Sequence, residues 1–139
     1  MYPGKGIKVI ISMIGLDGHS TGAQVVSRIL MDAGMEVVYL GYYNAPETIV
    51  QAAVQEDVDV IGISSHASNF SQIEDLMDLL IKNHMGHVCV ICGGNIPKNQ
   101  VLKLKEKGVA EVFTPQSTSE SMVEFIVSKV KPTTRRSAK

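Results

Sequence analysis

The sequence has little net charge and no long apolar segment. Its formal net charge at neutral pH is −1, so no broad electrostatic attraction to nucleic acid or to a membrane surface is expected. The longest apolar run, Val88 to Cys92, is far too short to cross a bilayer. The chain does not open with a basic segment followed by an apolar one, and we therefore expect a cytoplasmic protein.

Cysteine is also scarce, and the two cysteines, Cys89 and Cys92, form a C-x-x-C pattern inside that apolar run. Side chains three positions apart on a β-strand point to opposite faces, so these thiols are poorly placed to share a metal ion or a disulfide. A redox-active C-x-x-C instead stands at the start of a helix, where the helix dipole lowers a thiol pKa. We interpret both cysteines as small apolar core residues.

Apolar runs and helical repeats alternate along the 139 residues, a length that suits one domain. The predicted strands are 7–13, 36–40, 58–64, 88–92 and 111–113. Helical repeats follow them, built for example on Val25 and Leu30 or on Ile73 and Ile81. The sequence also marks where the helices begin and end. Gly34, Gly86 and Gly108 are predicted to end the first, third and fourth helices. Pro46 fits the first turn of the second helix, and Ser119 is predicted to cap the fifth.

This alternation predicts an α/β fold with a parallel sheet covered by helices on both faces. Five strands and five helices fit the flavodoxin-like (Rossmann-like) doubly wound order, in which ligands bind at the carboxyl ends of the strands. The loops at that edge are 14–22, 41–45, 64–70, 93–97 and 114–118. Residues 1–130 form the predicted domain, and we expect the basic, polar residues 131–139 to be a disordered tail.

Three common ligand-binding patterns of such sheets are missing. No G-x-G-x-x-G follows a predicted strand, and no G-x-x-x-x-G-K-[ST] phosphate loop occurs. A phosphate-accepting receiver domain would need an acidic cluster after the first strand and an aspartate ending the third. Glycine and leucine follow the first strand, and Ser64 ends the third. These observations argue against dinucleotide, nucleoside triphosphate and phosphoryl-receiver functions.

The residues that remain at the predicted edge are small or able to bind a metal. Asp17 and His19 follow the first strand. An imidazole can bind a transition metal through one nitrogen, and a carboxylate hydrogen-bonded to the other nitrogen fixes the tautomer and raises the basicity of the ligand. A surface loop in which the aspartate caps a helix and the histidine binds nothing would have the same local pattern. The pair Gly93 and Gly94 ends the fourth strand, where glycines allow a ligand to approach the backbone closely.

Taken together, these motifs resemble the cobalamin-binding domain family. The resemblance spans residues 7–130 and rests on Asp17-x-His19-x-x-Gly22, on Ser64 and on Gly93-Gly94, in this order at the strand ends. The wider stretch from Gly15 to His19, with residues 32–37 after it, looks most like the acyl-CoA mutases, of which methylmalonyl-CoA mutase is the best known.

The resemblance implies a role for each matching residue. His19 would replace the cofactor's own base as the lower cobalt ligand, and Asp17 would hydrogen-bond that histidine. The displaced nucleotide tail would enter a pocket beside the sheet, lined by further residues. The implied cofactor-binding residues besides Asp17 and His19 are Gly18, Ser20, Gly22, Ser64, His66, Gly93, Gly94 and Thr118.

Three positions depart from the pattern of the family. Met13 stands where a lysine usually extends the Asp–His pair, and Ser64-Ser65-His66 replaces Ser-x-Leu. The stretch 115–118, which ends in Thr118, replaces Pro-Gly-Thr at the pocket rim. For His66, a contact with the cofactor tail and a solvated loop position both stay open.

The implied function is that of the cobalamin-carrying small subunit of an acyl-CoA mutase that uses adenosylcobalamin. This subunit would hold the cofactor with its base displaced and His19 on cobalt, and would be inactive alone. Because the chain is too short to contain the barrel that binds acyl-CoA, a separate large, barrel-type catalytic subunit is implied. The alternatives are a corrinoid methyl-carrier protein, which usually has a helical cap before this domain, and a non-enzymatic cobalamin-binding sensor.

Overall fold

The computed structural model describes residues 3–14, 21–41, 44–65, 70–113 and 117–130. Within these ranges the chain alternates five strands with five helices, as the sequence predicts. The strands are β1 (Lys8–Met13), β2 (Glu36–Gly41), β3 (Val60–Ser65), β4 (Cys89–Gly94) and β5 (Glu111–Phe113). The helices are α1 (Thr21–Asp32), α2 (Pro46–Glu56), α3 (Phe70–Lys82), α4 (Lys98–Lys107) and α5 (Ser119–Lys129).

The strands form one parallel sheet in the order β2-β1-β3-β4-β5. This is the flavodoxin-like order, so the predicted fold class is confirmed. The three central strands are nearly continuous runs of apolar residues because helices cover both of their faces. The edge strand β2 is only half-buried.

Successive side chains along each strand point to opposite faces of the sheet, and they pack into two separate cores. One core lies under α2, α3 and α4 and contains Ile10, Ile61 and Val90. The other lies under α1 and α5 and contains Ile11, Val60 and Ile91. Three helices therefore cover one face of the sheet, whereas two cover the other, among the residues described.

The ends of two helices differ from the prediction. Gly34 and Gly108 are left-handed and end α1 and α4 as expected. After α3, however, the left-handed residue is His84, with φ 61°, and Gly86 is not the terminating residue. The amides of His84 and Met85 donate to Ile81 and Leu80, so the chain has already turned when it reaches Gly86.

The N-cap of α5 is Thr118 and not Ser119. The Thr118 hydroxyl accepts a hydrogen bond from the amide of Ser121 at 3.0 Å. Ser119 is the first helical residue, where its side chain cannot perform that function. Pro46 does occupy the first turn of α2, as predicted.

Two apolar positions of the helical repeats are exposed. Ile81, on α3, is 65% exposed, and Val25, on α1, is 54% exposed. Ile81 lies in the last turn of α3, which ends at Lys82. Across the described ranges, no helix combines the length and apolarity that a membrane span requires.

Candidate functional site

A cleft lies on the two-helix face of the sheet, between α1 and α5. We call it the α1/α5 cleft, and its volume is about 320 Å³. It opens toward the carboxyl ends of β3 and β4, the edge at which doubly wound sheets bind ligands. The described lining residues are Ile11, Gly22, Ala23, Val25, Val26, Gly62, Ile63, Ser64, Ile91, Cys92, Gly93, Gly94, Phe113, Ser117 and Met122.

Two rows of residues that pair across the sheet form the floor of the cleft. In the deeper row, Gly62 pairs with Ile11 on one side and with Ile91 on the other. In the outer row, Gly93 pairs with Ser64 and with Phe113. Because the pairs are in register, the side chains of each row point to the same face, toward the cleft.

Glycines keep this floor open. A Cβ atom on Gly62 would lie 2.7 Å from Cδ1 of Ile11, closer than real Cβ contacts allow. At Gly93 a Cβ atom would lie 3.6 Å from the carbonyl oxygen of Phe113, an ordinary contact distance. A glycine inside a strand weakens it and commonly marks a place where another group approaches the backbone. Gly62 fits that description, since it lies in the central strand.

The walls of the cleft are apolar. The first turns of α1 contribute Ala23 and Val25, and α5 contributes Met122. At the β5 end, the ring of Phe113 packs edge-on against Phe125, with 5.8 Å between the ring centroids. The exposure of Val25 therefore reflects its place in the lining of the cleft.

No charged side chain is among the described lining residues, and the hydroxyls come from Ser64 and Ser117. Cys92 also borders the cleft, but its side chain belongs to the core on the opposite face of the sheet, where burial raises the pKa of its thiol to about 12. Burial also raises the pKa of Cys89, against a smaller opposing effect of Lys129. The two thiols belong to opposite cores, as the strand alternation predicts, so they are poorly placed to share a metal ion or a disulfide.

The structure brings together four of the residues that the sequence predicts for the site. Gly22, Ser64, Gly93 and Gly94 all line the cleft, although they come from three different segments of the chain. Thr118 does not line it, because its hydroxyl caps α5, while the neighbouring Ser117 does. The other predicted site residues lie outside the described residues: Asp17, Gly18, His19, Ser20 and His66.

Sequence reasoning missed the floor of the cleft. Gly62 interrupts the run Val60-Ile61-Gly62-Ile63, and a glycine inside a strand was the available signal. Phe113 and Met122 had no comparable signal, since both look like ordinary core residues in the sequence.

A sequence model of one protein family, the B12 binding domain, matches residues 7–123. The chain belongs to this family. The family predicted from Asp17, His19, Gly22, Ser64 and Gly93-Gly94 is thereby confirmed, and the ligand class of the B12-binding domain is cobalamin.

Two relatives of this B12-binding domain are small subunits of acyl-CoA mutases. The pivalyl-CoA mutase small subunit of Xanthobacter autotrophicus is 39% identical over 122 residues, covering 88% of this chain and 82% of the relative. The 2-hydroxyisobutanoyl-CoA mutase small subunit of Aquincola tertiaricarbonis is 37% identical over 125 residues, covering 89% of this chain and 92% of the relative.

The fold also matches that of a solved structure, a cobalamin-binding protein from Desulfitobacterium hafniense DCB-2. The TM-score is 0.77 at 20% identity, over 91% of this chain and 60% of that one. At this identity the likeness concerns the fold of the B12-binding domain alone.

Proposed function

We propose that this chain is the cobalamin-binding small subunit of an acyl-CoA mutase and that its cofactor is adenosylcobalamin. The two relatives named above support this proposal, because they are small subunits of such mutases and the chain spans most of their length. The partner is then a separate large, barrel-type subunit that binds the acyl-CoA. The small subunit contributes cofactor binding and has no activity alone.

The observation that carries the proposal is the α1/α5 cleft. It is apolar and open at the ligand-binding edge, and a side chain at Gly62 would fill part of its floor. Such a cleft fits the displaced nucleotide tail of the cofactor, whose aromatic base gains from apolar contact. Ser64, Gly93, Gly94 and Gly22 line the cleft. In this proposal Ser64 and the backbone of the two glycines would contact the tail, and Gly22 would let it pass the start of α1.

Asp17 and His19 complete the proposed site, with His19 as the lower ligand of cobalt. A neutral imidazole binds a transition metal through one nitrogen. The carboxylate of Asp17 would accept a hydrogen bond from the other nitrogen, which fixes the tautomer and raises the basicity of the ligand. When bound, the cofactor supplies radical chemistry, and the protein supplies its position and environment.

The test is the electron paramagnetic resonance spectrum of the chain with cobalt(II) cobalamin, prepared with unlabelled and with nitrogen-15-labelled histidine. We expect the nitrogen splitting to change with the label, because a protein histidine replaces the cofactor's own base. His19→Gly should lose that signal and keep the far-ultraviolet circular dichroism of the fold. A splitting that ignores the label would refute the histidine-ligated arrangement.

A second experiment tests the mutase assignment. The chain is mixed with candidate large subunits and adenosylcobalamin, and isomerisation of acyl-CoA substrates is followed by chromatography. We expect activity only when both subunits and the cofactor are present. Transfer of a methyl group to the bound cofactor by a methyltransferase would instead identify a corrinoid methyl carrier.

A further inference from the structure

The described hydroxyl groups of the α1/α5 cleft stand near its mouth. They belong to Ser64 and Ser117. Ser64 lies in the outer row, near the carboxyl end of β3, and Ser117 lies two residues before α5. Gly62 precedes Ser64 by two residues on β3, so the deeper row lies about 7 Å further from the open edge. A group that reaches the deeper row has therefore passed both hydroxyls.

The backbone of the deeper row is occupied by the sheet itself. Ile11 pairs with Tyr39 on one side and with Gly62 on the other. Ile91 pairs with Gly62 and with Glu111. In a parallel sheet the amides and carbonyl groups of residues flanked on both sides bond to the neighbouring strands. The deeper row therefore offers an entering group apolar surface and no free backbone hydrogen bond.

The helices beside the deeper row have apolar surfaces as well. Val26 of α1 and Met122 of α5 line the cleft and pack against the core that contains Ile11 and Ile91. The described lining residues on these two helices are all glycine or apolar: Gly22, Ala23, Val25, Val26 and Met122. The inner part of the cleft is therefore apolar on its floor and on both of its walls, among the residues described.

Gly62 makes the deeper row accessible to a flat group. It lies within the central strand, where a Cβ atom would be 2.7 Å from Cδ1 of Ile11. Because that atom is missing, a ring can lie against the backbone of β3. The deeper row thus accepts a flat aromatic group by shape and gives it only apolar contacts.

We propose that the deeper row, together with Val26 and Met122, selects the lower base of the cofactor by its polarity. This inference rests on the proposed function, which places the displaced nucleotide tail in the cleft. The six-membered ring of dimethylbenzimidazole, the part furthest from the ribose, carries two methyl groups. The same ring of adenine carries an amino group and two ring nitrogens. These groups would lose water on entry and find no partner, so the cleft discriminates against a purine base.

The experiment compares the binding of three corrinoids to the full chain by equilibrium dialysis, with the absorbance of the corrin ring as the readout. They are cobalamin, its analogue with adenine in place of dimethylbenzimidazole, and cobinamide, which lacks the nucleotide. We expect cobalamin to bind roughly tenfold to hundredfold more tightly than the adenine analogue, the discrimination of an apolar pocket against added polar groups. Adenine is the weaker cobalt ligand, so the smaller cost of displacing it cannot produce this preference.

Two substitutions add hydrogen-bonding groups to the walls of the cleft with little change in volume. Met122→Gln adds an amide that both donates and accepts, and Val26→Thr adds a hydroxyl. Each should lower the preference for cobalamin over the adenine analogue by roughly threefold or more, because the polar edge of adenine gains a partner. Val26→Thr serves alone if Met122→Gln does not fold.

The matched controls make the same changes outside the described lining of the cleft. Met31 is on α1 and is 48% exposed, and Val123 is on α5 beside Met122. Met31→Gln and Val123→Thr should keep the wild-type preference.

Each outcome has a separate meaning. Equal affinity of the wild type for cobalamin and the adenine analogue, with much weaker binding of cobinamide, would overturn the inference and leave the proposed function standing. A preference that is unchanged in both Met122→Gln and Val26→Thr would overturn it too, as would controls that lower the preference equally. Cobinamide that binds as tightly as cobalamin, or no binding of any corrinoid, would overturn the placement of the tail in the cleft and this inference with it.

Discussion

A Cβ atom on Gly62 would lie 2.7 Å from Cδ1 of Ile11, at the floor of the α1/α5 cleft. Because Cδ1 is the end of a flexible side chain, Gly62→Ala should push it into the open cleft. We expect the affinity for cobalamin to fall roughly tenfold or more, as for one methyl-sized change in a binding pocket. The free energy of unfolding should fall by only about 1 kcal/mol. Spectroscopic titration and urea unfolding measure the two quantities.

Gly86→Ala is the matched control for this change. Gly86 is exposed, and a Cβ atom there would lie 3.9 Å from Cγ1 of Ile81, an ordinary contact. We expect its affinity for cobalamin to equal that of the wild type. Wild-type affinity in Gly62→Ala would contradict the assignment of the cleft to the cofactor tail.

The cap of α5 gives a prediction about stability. Thr118→Ala removes the acceptor of the Ser121 amide, and we expect the free energy of unfolding to fall by about 1 kcal/mol. Thr118→Ser keeps the hydroxyl and should recover most of this loss. Ser119→Ala should cost no more than a few tenths of a kcal/mol, because an exposed first-turn position makes no cap bond. Urea unfolding of the three variants measures these differences. A larger loss of unfolding free energy in Ser119→Ala than in Thr118→Ala would show that the cap is assigned wrongly.

One ion pair gives a prediction about pH. The Lys105 ammonium, 2.8 Å from the Glu111 carboxylate, holds the pKa of that carboxyl below its usual value of 4.5, and the Val112 amide adds to this effect. Since the pKa is lower in the folded state, Glu111 stabilises the fold fully above about pH 4.5, and the effect fades as the pH falls through the folded-state pKa.

The measurement is urea unfolding of the wild type and of Glu111→Gln between acidic and neutral pH. Both side chains are partly exposed, so solvent screening limits the difference in the free energy of unfolding to about 0.5 kcal/mol at neutral pH. This difference should shrink in acid, and Lys105→Met should weaken its dependence on pH. A difference that grows in acid would contradict the prediction.

The thiols of the two cysteines should react only slowly, or not at all, in the folded protein. Because burial raises the pKa of the Cys92 thiol to about 12, almost none of it is the reactive thiolate at neutral pH. We expect a thiol reagent to modify Cys89 slowly, and Cys92 only after unfolding. In the Cys89→Ser variant only Cys92 can react, so a comparison with the wild type shows which cysteine gives each reaction. Formation of a Cys89–Cys92 disulfide under mild oxidation would contradict their placement on opposite faces of β4.

Most of the fold was predictable because the sequence patterns that specify it involve residues close together in the chain. Strand and helix periods, Pro46 and the helix-ending Gly34 and Gly108 all act within a few neighbours. The strand limits were less accurate. Val58 and Val88 were predicted to begin strands and are buried, yet β3 and β4 begin two and one residues later. An apolar residue signals burial, whereas a strand also needs a hydrogen-bonding neighbour.

The sequence by itself determined the α/β alternation, the family motifs from Asp17 to Gly94, and the opposite faces of Cys89 and Cys92, because each depends on spacing along the chain. Only the tertiary structure decided that Ile11, Gly62 and Ile91 form one row and that α1 and α5 leave the cleft above it. These contacts join distant segments, and they depend on strand order and register, which no local pattern encodes.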